Sequence, residues 1–301
     1  MNIIGNILEV KRFAVHDGPG VRTTLFLKGC PLHCLWCHNP EGIASQPQLA
    51  YYAHKCINCG ECVAVCPTGA HTLENGKHVF DRTKCRACGK CESVCLGKAL
   101  RFYGEKVTVA EALELTLEDR DFFGVDGGVT LSGGEPLIQS AFCYELLKAL
   151  KREKVNTAVD TCCCVEWSAV AKVLPVTDWF LVDFKHPDSA THRRLTGQGN
   201  EQILANLRGL SEEGARIEVR IPLVPGCNDS EKDLRAAGEI LGKLHIERVK
   251  VLPYHDMARS KYVALGMPDT MPQVELPDDA ALHRAVAILQ KFDVNAVSGK
   301  E

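Results

Sequence analysis

Eleven of the sixteen cysteines fall into three tightly spaced arrays, and whatever this chain folds into must bring those thiols together for a purpose. The first array is C-x₃-C-x₂-C (Cys30, Cys34, Cys37). The other two are each C-x₂-C-x₂-C-x₃-C: Cys56, Cys59, Cys62, Cys66 and Cys85, Cys88, Cys91, Cys95. A secreted disulfide scaffold would be small and loop-rich, whereas this chain has 301 residues, 46% of them hydrophobic and 24% charged, the make-up of a full-sized globular protein. Metal ligation is the better reading of the arrays. Cys143, Cys162, Cys163, Cys164 and Cys227 stand outside them. A formal net charge of −3 offers no basic footprint for nucleic acid or an anionic membrane. The N-terminal MNIIGNILEVKRFAVHDG lacks the apolar core of a signal peptide, and no later stretch approaches about 18 apolar residues. A monomeric cytoplasmic protein is the expectation.

The two four-cysteine arrays form an internal repeat within a Cys- and Gly-rich stretch, residues 51–103. Two copies of this spacing are the signature of bacterial ferredoxins with two cubane clusters, where three thiolates of one run and the fourth of the other hold each cluster. Cys56, Cys59, Cys62 and Cys95 are thus expected on one [4Fe–4S] cluster, and Cys85, Cys88, Cys91 and Cys66 on the other. A pair of structural zinc sites is the alternative, although zinc sites usually show separated C-x₂-C knuckles. Cys66 is followed by Pro67, as the ferredoxin pattern asks, but Cys95 by Leu96.

Around that insert the chain alternates strand-like and helix-like segments, which predicts an α/β protein with a parallel sheet. Strands are expected at 23–28, 128–132, 157–161, 179–185, 217–223 and 248–254, with helices at 109–120, 141–151, 201–210 and 231–244. Six strands with helical crossovers fit an incomplete (β/α)₆ barrel of TIM type, whose strand C-terminal ends carry the chemistry. A doubly wound sheet is the alternative. The core would comprise 1–50 and 104–301, with 51–103 inserted.

The three-cysteine loop, Gly29-Cys30-Pro31-Leu32-His33-Cys34-Leu35-Trp36-Cys37-His38-Asn39-Pro40, follows the first strand. Three thiolates on one loop hold three irons of a cubane and leave the fourth open to a small-molecule ligand. A zinc knuckle or buried thiols would give the same array. With its aromatic residue before the last cysteine, however, the loop is the signature of the radical S-adenosylmethionine superfamily, and CLWCHNPEG closely resembles the glycyl-radical-enzyme activating enzymes. Further along, HDGPGVRT (16–23), SGGEP (132–136), LVDFKH (181–186), RIPLVPGCND (220–229) and LPYH (252–255) resemble that family's elements in the family's order. Singly each has a bland explanation: a tight turn for the glycines, a charged turn for Asp183 and Lys185, a structural role for His255.

The resemblance implies that S-adenosylmethionine binds the open iron of the Cys30, Cys34, Cys37 cluster, beside Trp36, Cys37, His38, Gly133, Gly134, Glu135, Asp183, Phe184, Lys185, Arg220, Asn228 and His255. It also implies a monovalent-cation site on Asp160, Thr161, Asp183 and the Leu181 carbonyl. In Asp160-Thr161-Cys162-Cys163-Cys164 the sequence departs from the family, because Cys163 stands where glycine is usual. The three adjacent cysteines are read as small residues lining the barrel, since neighbouring side chains on extended chain point apart. The implied activity is reductive cleavage of S-adenosylmethionine and hydrogen abstraction from a glycine of a partner glycyl radical enzyme. Flavodoxin or ferredoxin would be the electron donor. Because simple pyruvate formate-lyase activators lack the insert, the partner is expected to be an eliminase or decarboxylase acting on a small molecule such as a polyol, choline, a sulfonate or an aromatic acid. An electron-transfer protein whose clusters only conduct, or a radical enzyme acting directly on a peptide or small molecule, are the rival readings.

Overall fold

The computed structural model describes residues 3–299; the outermost residues of the expected core segments, 1–2 and 300–301, lie outside the described residues. Its strands are β1 (Ile4–Ala14), β2 (Arg22–Leu27), β3 (Gln48–Tyr51), β4 (His71–Glu74), β5 (Lys77–Phe80), β6 (Leu100–Tyr103), β7 (Glu105–Thr108), β8 (Gly128–Gly133), β9 (Asn156–Thr161), β10 (Trp179–Asp183), β11 (Ile217–Leu223), β12 (Arg248–Pro253) and β13 (Ala296–Ser298). Its helices are α1 (Glu61–Val65), α2 (Lys90–Ser93), α3 (Val109–Leu117), α4 (Ser140–Arg152), α5 (Trp167–Val173), α6 (Ser189–Thr196), α7 (Glu201–Glu212), α8 (Glu231–Leu241), α9 (Arg259–Leu265) and α10 (Asp279–Leu289). Among the described residues no helix is long and apolar enough to cross a membrane.

Nine strands form one sheet in the order β13-β12-β11-β10-β9-β8-β2-β1-β7. From β2 to β13 every neighbour is parallel, while β1 runs antiparallel between β2 and β7. The parallel strands follow one another in chain order with no reversal, which excludes a doubly wound sheet and its switch point. β8, β10 and β11 are buried almost throughout, as apolar strands covered on both faces must be. Helix α4 covers one face with a single stripe, Phe142, Cys143, Leu146, Leu147 and Leu150. α3 starts where expected because Thr108 and Glu111 form a reciprocal capping box.

β1, β7 and β13 were not expected from the sequence. In β1 the pairing register shifts between Ile7 and Glu9 and again between Lys11 and Ala14, so the strand never shows clean alternation. At the start of the sheet Arg22 is wholly buried. Its guanidinium donates to Thr130 Oγ1 (2.7 Å), Asn156 Oδ1 (3.0 Å) and the carbonyl of Val129 (2.9 Å), tying β2, β8 and β9 together.

Residues 48–103 build two matching halves. β3 pairs with β6 and β4 with β5, and each half carries a one-turn 3₁₀ helix, a cysteine run and a short α-helix between its strands. Left-handed backbone recurs at equal offsets: Asn58 and Ala87, Gly60 and Gly89, Gly69 and Lys98.

Beyond β9 the chain turns through Cys162–Cys164. Cys163 is fully buried with φ +56°, a left-handed conformation that suits glycine and strains a side chain by about 1 kcal/mol. Its carbonyl accepts from Asn206 Nδ2 at 2.8 Å, which fixes the turn. Two outcomes are expected in thermal denaturation followed by circular dichroism. Cys163→Gly relieves strain but loses a buried thiol, leaving Tm within about 3 °C, whereas the β-branched Cys163→Val costs about 3 kcal/mol; equal Tm values for both would refute the strain. Arg22→Lys offers three donors to the six acceptors that the guanidinium reaches and costs about 3 kcal/mol without altering bound iron; an unchanged Tm would mean that the guanidinium network is dispensable.

Candidate functional site

The loop after β2 has no regular structure, so other segments hold its shape. Gly29 N donates to Gly42 O (2.7 Å) and Cys30 N to Ile43 O (2.9 Å). The last-turn carbonyls of α6, which have no helical donors, accept from the loop: His33 N to Thr196 O at 2.7 Å and Leu35 N to Leu195 O at 2.9 Å. From α9, Tyr262 Oη donates to Cys37 O (3.0 Å) and Lys261 Nζ to His38 O (2.9 Å). Lys261 also pairs with buried Glu41 at 2.6 Å, whose carbonyl takes the Lys28 ammonium at 2.6 Å. Trp36 anchors the loop among Leu195, Val224, Tyr254 and Tyr262.

So held, Cys30, Cys34 and Cys37 line one cleft of about 530 Å³, within the range of small-molecule sites. Its other walls come from the ends of β8, β9, β10, β11 and β12, so the open sheet curls until its first and last main strands face the same space. Burial pushes the Cys34 thiol up to about 11, against the pull of the Lys185 ammonium, and Cys37 higher still.

Gly133 and Gly134 lie where strand and loop backbones touch. Gly133 has φ +126°, and a Cβ on Gly134 would lie 2.3 Å from Gly29 O and 2.5 Å from Gly42 O. Asp160 accepts from Ser132 Oγ at 2.7 Å and faces Arg220 at 3.6 Å; burial raises it to about 6 against the pull of Arg220. Lys185 lies 2.7 Å from Asp183. Burial opposes its charge, but Asp183 and the nearby thiols outweigh that and hold the ammonium. His38 Nε2 donates to the His255 carbonyl at 2.8 Å and the two rings stack 3.9 Å apart. His255 Nδ1 is buried without a partner.

Twelve expected site residues line this cleft: Cys30, Cys34, Cys37, Trp36, His38, Gly133, Gly134, Asp160, Thr161, Asp183, Lys185 and His255. Four expected contacts do not. Glu135 lies beneath the floor, where its carboxylate accepts from Thr161 Oγ1 (2.8 Å), Cys162 N (2.8 Å) and Leu137 N (2.9 Å), tying the ends of β8 and β9. Phe184 packs in the main core. Arg220 spends its donors on Glu218 (3.0 Å) and His16 O (2.7 Å). Asn228 bridges Val224 N, Pro222 O and Lys185 O. Leu181 is buried in β10 beside Asp160 of β9. His16, Ser132 and Cys162 also line the cleft, and Lys261, Tyr262 and Glu41 support it. Glu41 belongs to the CLWCHNPEG stretch, whereas Lys261 and Tyr262 follow no motif; α9 reads as an ordinary helix.

In the inserted segment one cavity is lined by Cys56, Cys59, Cys62 and Cys95, a second by Cys66, Cys85, Cys88 and Cys91. Matching amide-to-sulfur contacts, Ala70 N to Cys66 at 3.3 Å and Ala99 N to Cys95 at 3.1 Å, recur in the two halves. His78 borders the first cavity and His71 the second, with Nδ1 of His71 2.9 Å from Nε2 of His78. Burial pulls His71 down to about 4, so the pair is neutral at pH 7. Ligand atoms of Cys62, His71 and His78 lie within 4.8 Å of one another.

Residues 24–237 match the Radical SAM superfamily. Over 295 residues the chain is 43% identical to a choline trimethylamine-lyase activating enzyme of Oleidesulfovibrio alaskensis, covering 95% of each. It is 39% identical to an isethionate sulfite-lyase activating enzyme of Nitratidesulfovibrio vulgaris (96% of each) and 41% identical to the benzylsuccinate synthase activating enzyme of Thauera aromatica (86% of this chain, 81% of the relative). A radical SAM methyltransferase from Sphaerobacter thermophilus shares the fold, with a TM-score of 0.54 and 15% identity over 92% of this chain and 66% of that one. By family match and by full-length similarity to activating enzymes, this chain belongs to the radical SAM (S-adenosylmethionine) superfamily.

Proposed function

We propose that the protein activates a glycyl radical enzyme, using a [4Fe–4S] cluster on Cys30, Cys34 and Cys37. The observation that carries this reading is the convergence of those three thiols, the Gly133–Gly134 turn, the Asp183–Lys185 pair and the His38–His255 stack on one cleft. Relatives over nearly the whole chain are activating enzymes, which supports it. The residues fit the group: three thiols, with the Cys162 thiol hydrogen-bonded to Cys30, face a cleft large enough for a nucleoside-sized ligand, and the orphaned His255 Nδ1 gives it a hydrogen-bonding wall.

When bound, the cluster supplies one electron to the sulfonium of S-adenosylmethionine, whose C–S bond breaks to give methionine and a 5′-deoxyadenosyl radical that takes hydrogen from a partner glycine. The chain's own residues position and enclose. Asp183 and Lys185 present paired charges to the zwitterionic methionine end, and the exposed edge of the Gly133–Gly134 turn offers backbone to its ammonium. His38 and His255 flank the adenosine end as a stacked pair. Glu135, Arg220 and Asn228 act one step removed: Glu135 fixes the floor, Arg220 fixes Asp160, and Asn228 fixes the backbone of Lys185. A monovalent cation between Asp160 and Asp183, with Thr161 and the Leu181 carbonyl, would balance charges that otherwise meet only Arg220 and Lys185.

In the segment 51–103, read as an inserted ferredoxin-like domain, two further [4Fe–4S] clusters on Cys56, Cys59, Cys62, Cys95 and on Cys85, Cys88, Cys91, Cys66 would receive electrons from a cytoplasmic flavodoxin or ferredoxin. The two four-sulfur cavities and their matching amide-to-sulfur contacts support that reading. The grouping of Cys62, His71 and His78 favours a rival, a zinc ion in the insert. It would leave most of the insert's thiols without metal. The relatives act on partners of differing chemistry, a choline lyase, a sulfite-lyase and a benzylsuccinate synthase, so the partner is assigned to the class of glycyl radical lyases, decarboxylases and synthases.

Anaerobically reconstituted, dithionite-reduced protein is expected to convert S-adenosylmethionine to 5′-deoxyadenosine. Cys34→Ala should abolish product and remove about four of about twelve irons per chain. No product from fully loaded wild type would favour the electron-transfer reading, and zinc in place of insert iron would support the rival.

A further inference from the structure

The two halves of the insert differ in how they meet the core. Along the β3–β6 ladder, Gln48 pairs with Tyr103 nearest the core, Leu49 with Phe102 one step out, and Tyr51 with Leu100 three steps out. Gln48 Oε1 accepts from Lys28 of the core at 2.9 Å, and Tyr103 packs with Leu8 and Ala264. Leu49 lines the cavity of Cys66, Cys85, Cys88 and Cys91, and a Cβ on Gly89 of that loop would sit 3.5 Å from the Phe102 ring. Tyr51 and Leu100 line the other cavity. Ala50 and Tyr52 also pack with Leu8 and Leu265, so the ladder runs along the core, and the two residues of strand between the cavities, roughly 7 Å, set the Cys85 half nearer the end at Lys28, two residues before Cys30; in that sense it is the inner one.

Arg101 of β6 pairs with Glu9 of β1 at 2.6 Å, and among the described residues the inner half alone sends a long side chain to α9. Arg82, three residues before Cys85, donates to Leu49 O at 2.8 Å and to the carbonyl of Ala264 in α9, with its guanidinium 4.9 Å above the Phe80 ring. Gly266 makes room for it, since a Cβ there would lie 2.5 Å from the Arg82 side chain. The position equivalent to Arg82 in the outer half, three residues before Cys56, is Ala53, which has no such reach. Two residues before Ala264, Tyr262 donates its hydroxyl to Cys37 O at 3.0 Å. A continuous line of backbone and hydrogen bonds thus joins Cys85, Arg82, Ala264, Tyr262 and Cys37, while the His71–His78 contact joins the two cysteine cavities.

We propose that the Cys66, Cys85, Cys88, Cys91 site is the proximal relay to the radical centre, that the Cys56, Cys59, Cys62, Cys95 site lies outside it, and that Arg82 is the positioning residue that seats the relay on α9. This inference rests on the three-cluster reading of the preceding section. A reduced one-electron carrier would lose one electron, each insert site and then the Cys30, Cys34, Cys37 cluster would be reduced and reoxidised in turn, and the sulfonium of S-adenosylmethionine, whose C–S bond breaks, would be the net acceptor.

The test uses the reconstituted holoprotein reduced with titanium(III) citrate in the presence of S-adenosylmethionine, which marks the radical centre's electron paramagnetic resonance signal. A neighbouring reduced cluster speeds relaxation of that signal. The microwave power for half-saturation is expected to fall at least threefold in Cys88→Ala, with the iron loss checked, and to stay near wild type in Cys59→Ala; the reverse pattern, or equal effects, overturns the proposal. Arg82→Met tests the arm without removing a ligand. It should keep about twelve irons per chain, raise hydrogen exchange in α9 and lower the half-saturation power, and wild-type values on both readouts overturn the role of Arg82. Wild-type protein with only about four irons would instead sink the three-cluster reading, and the relay with it.

Discussion

Everything in this molecule depends on making three sulfurs of an irregular loop converge and stay converged. Cys30, Cys34 and Cys37 lie on chain with no ladder of its own, so apart from Cys37 N to Cys34 O (3.1 Å) the backbone groups that fix them find partners elsewhere. It does so in three places: the Gly42–Ile43 return, the exposed carbonyls at the end of α6, and the side chains of Lys261 and Tyr262 on α9. α6 and α9 follow β10 and β12, so the loop after the first parallel strand is clamped by elements that come late in the chain. Only a sheet curled enough to bring its two sides together can arrange that. The Gly133–Gly134 turn belongs to the same constraint, since a side chain at Gly133 would drive β8 away from the end of β2 and one at Gly134 would drive it away from the loop it supports.

In the cleft and in the sheet around it lie charges that burial alone would neutralise. Each is met by an opposite one: Lys185 by Asp183, Asp160 by Arg220, and Glu218 by both Arg220 and Arg248. Removing one partner of such a pair leaves an uncompensated buried charge and costs several kcal/mol, so the network resists rearrangement. A fixed, charged floor under a ring of sulfurs suits a zwitterionic ligand with a sulfonium.

Six of the seven strands of the parallel run were legible because their apolar, β-branched segments are long and separated by helical periods, and they stand in the sheet in chain order. β1 was hidden by its two register shifts, and β13 by being only three residues long. The cleft was legible as motifs, twelve of whose residues do face it, but motif membership could not say which side chains point in. Glu135, Arg220 and Asn228 belong to the pattern yet turn toward the scaffold, because the floor itself needs donors and acceptors. Tyr262 and Lys261 left no trace in the sequence, for their contacts span more than two hundred residues. The departure at Cys163 was legible as a missing glycine, and the left-handed backbone there explains why glycine is the usual choice. The contrast between Arg82 and Ala53 becomes visible only when the two halves of the insert are aligned and their distances from α9 are known.

The central claim, that this cleft makes a radical destined for another protein, is tested most directly by mixing the reconstituted protein with S-adenosylmethionine, a one-electron reductant and a glycyl radical lyase or decarboxylase from the same source. Electron paramagnetic resonance should then show the doublet of a glycyl radical on the partner, with 5′-deoxyadenosine formed in equal amount. Formation of 5′-deoxyadenosine with no radical on any such partner would contradict the account and point to a small molecule or peptide as the true hydrogen donor.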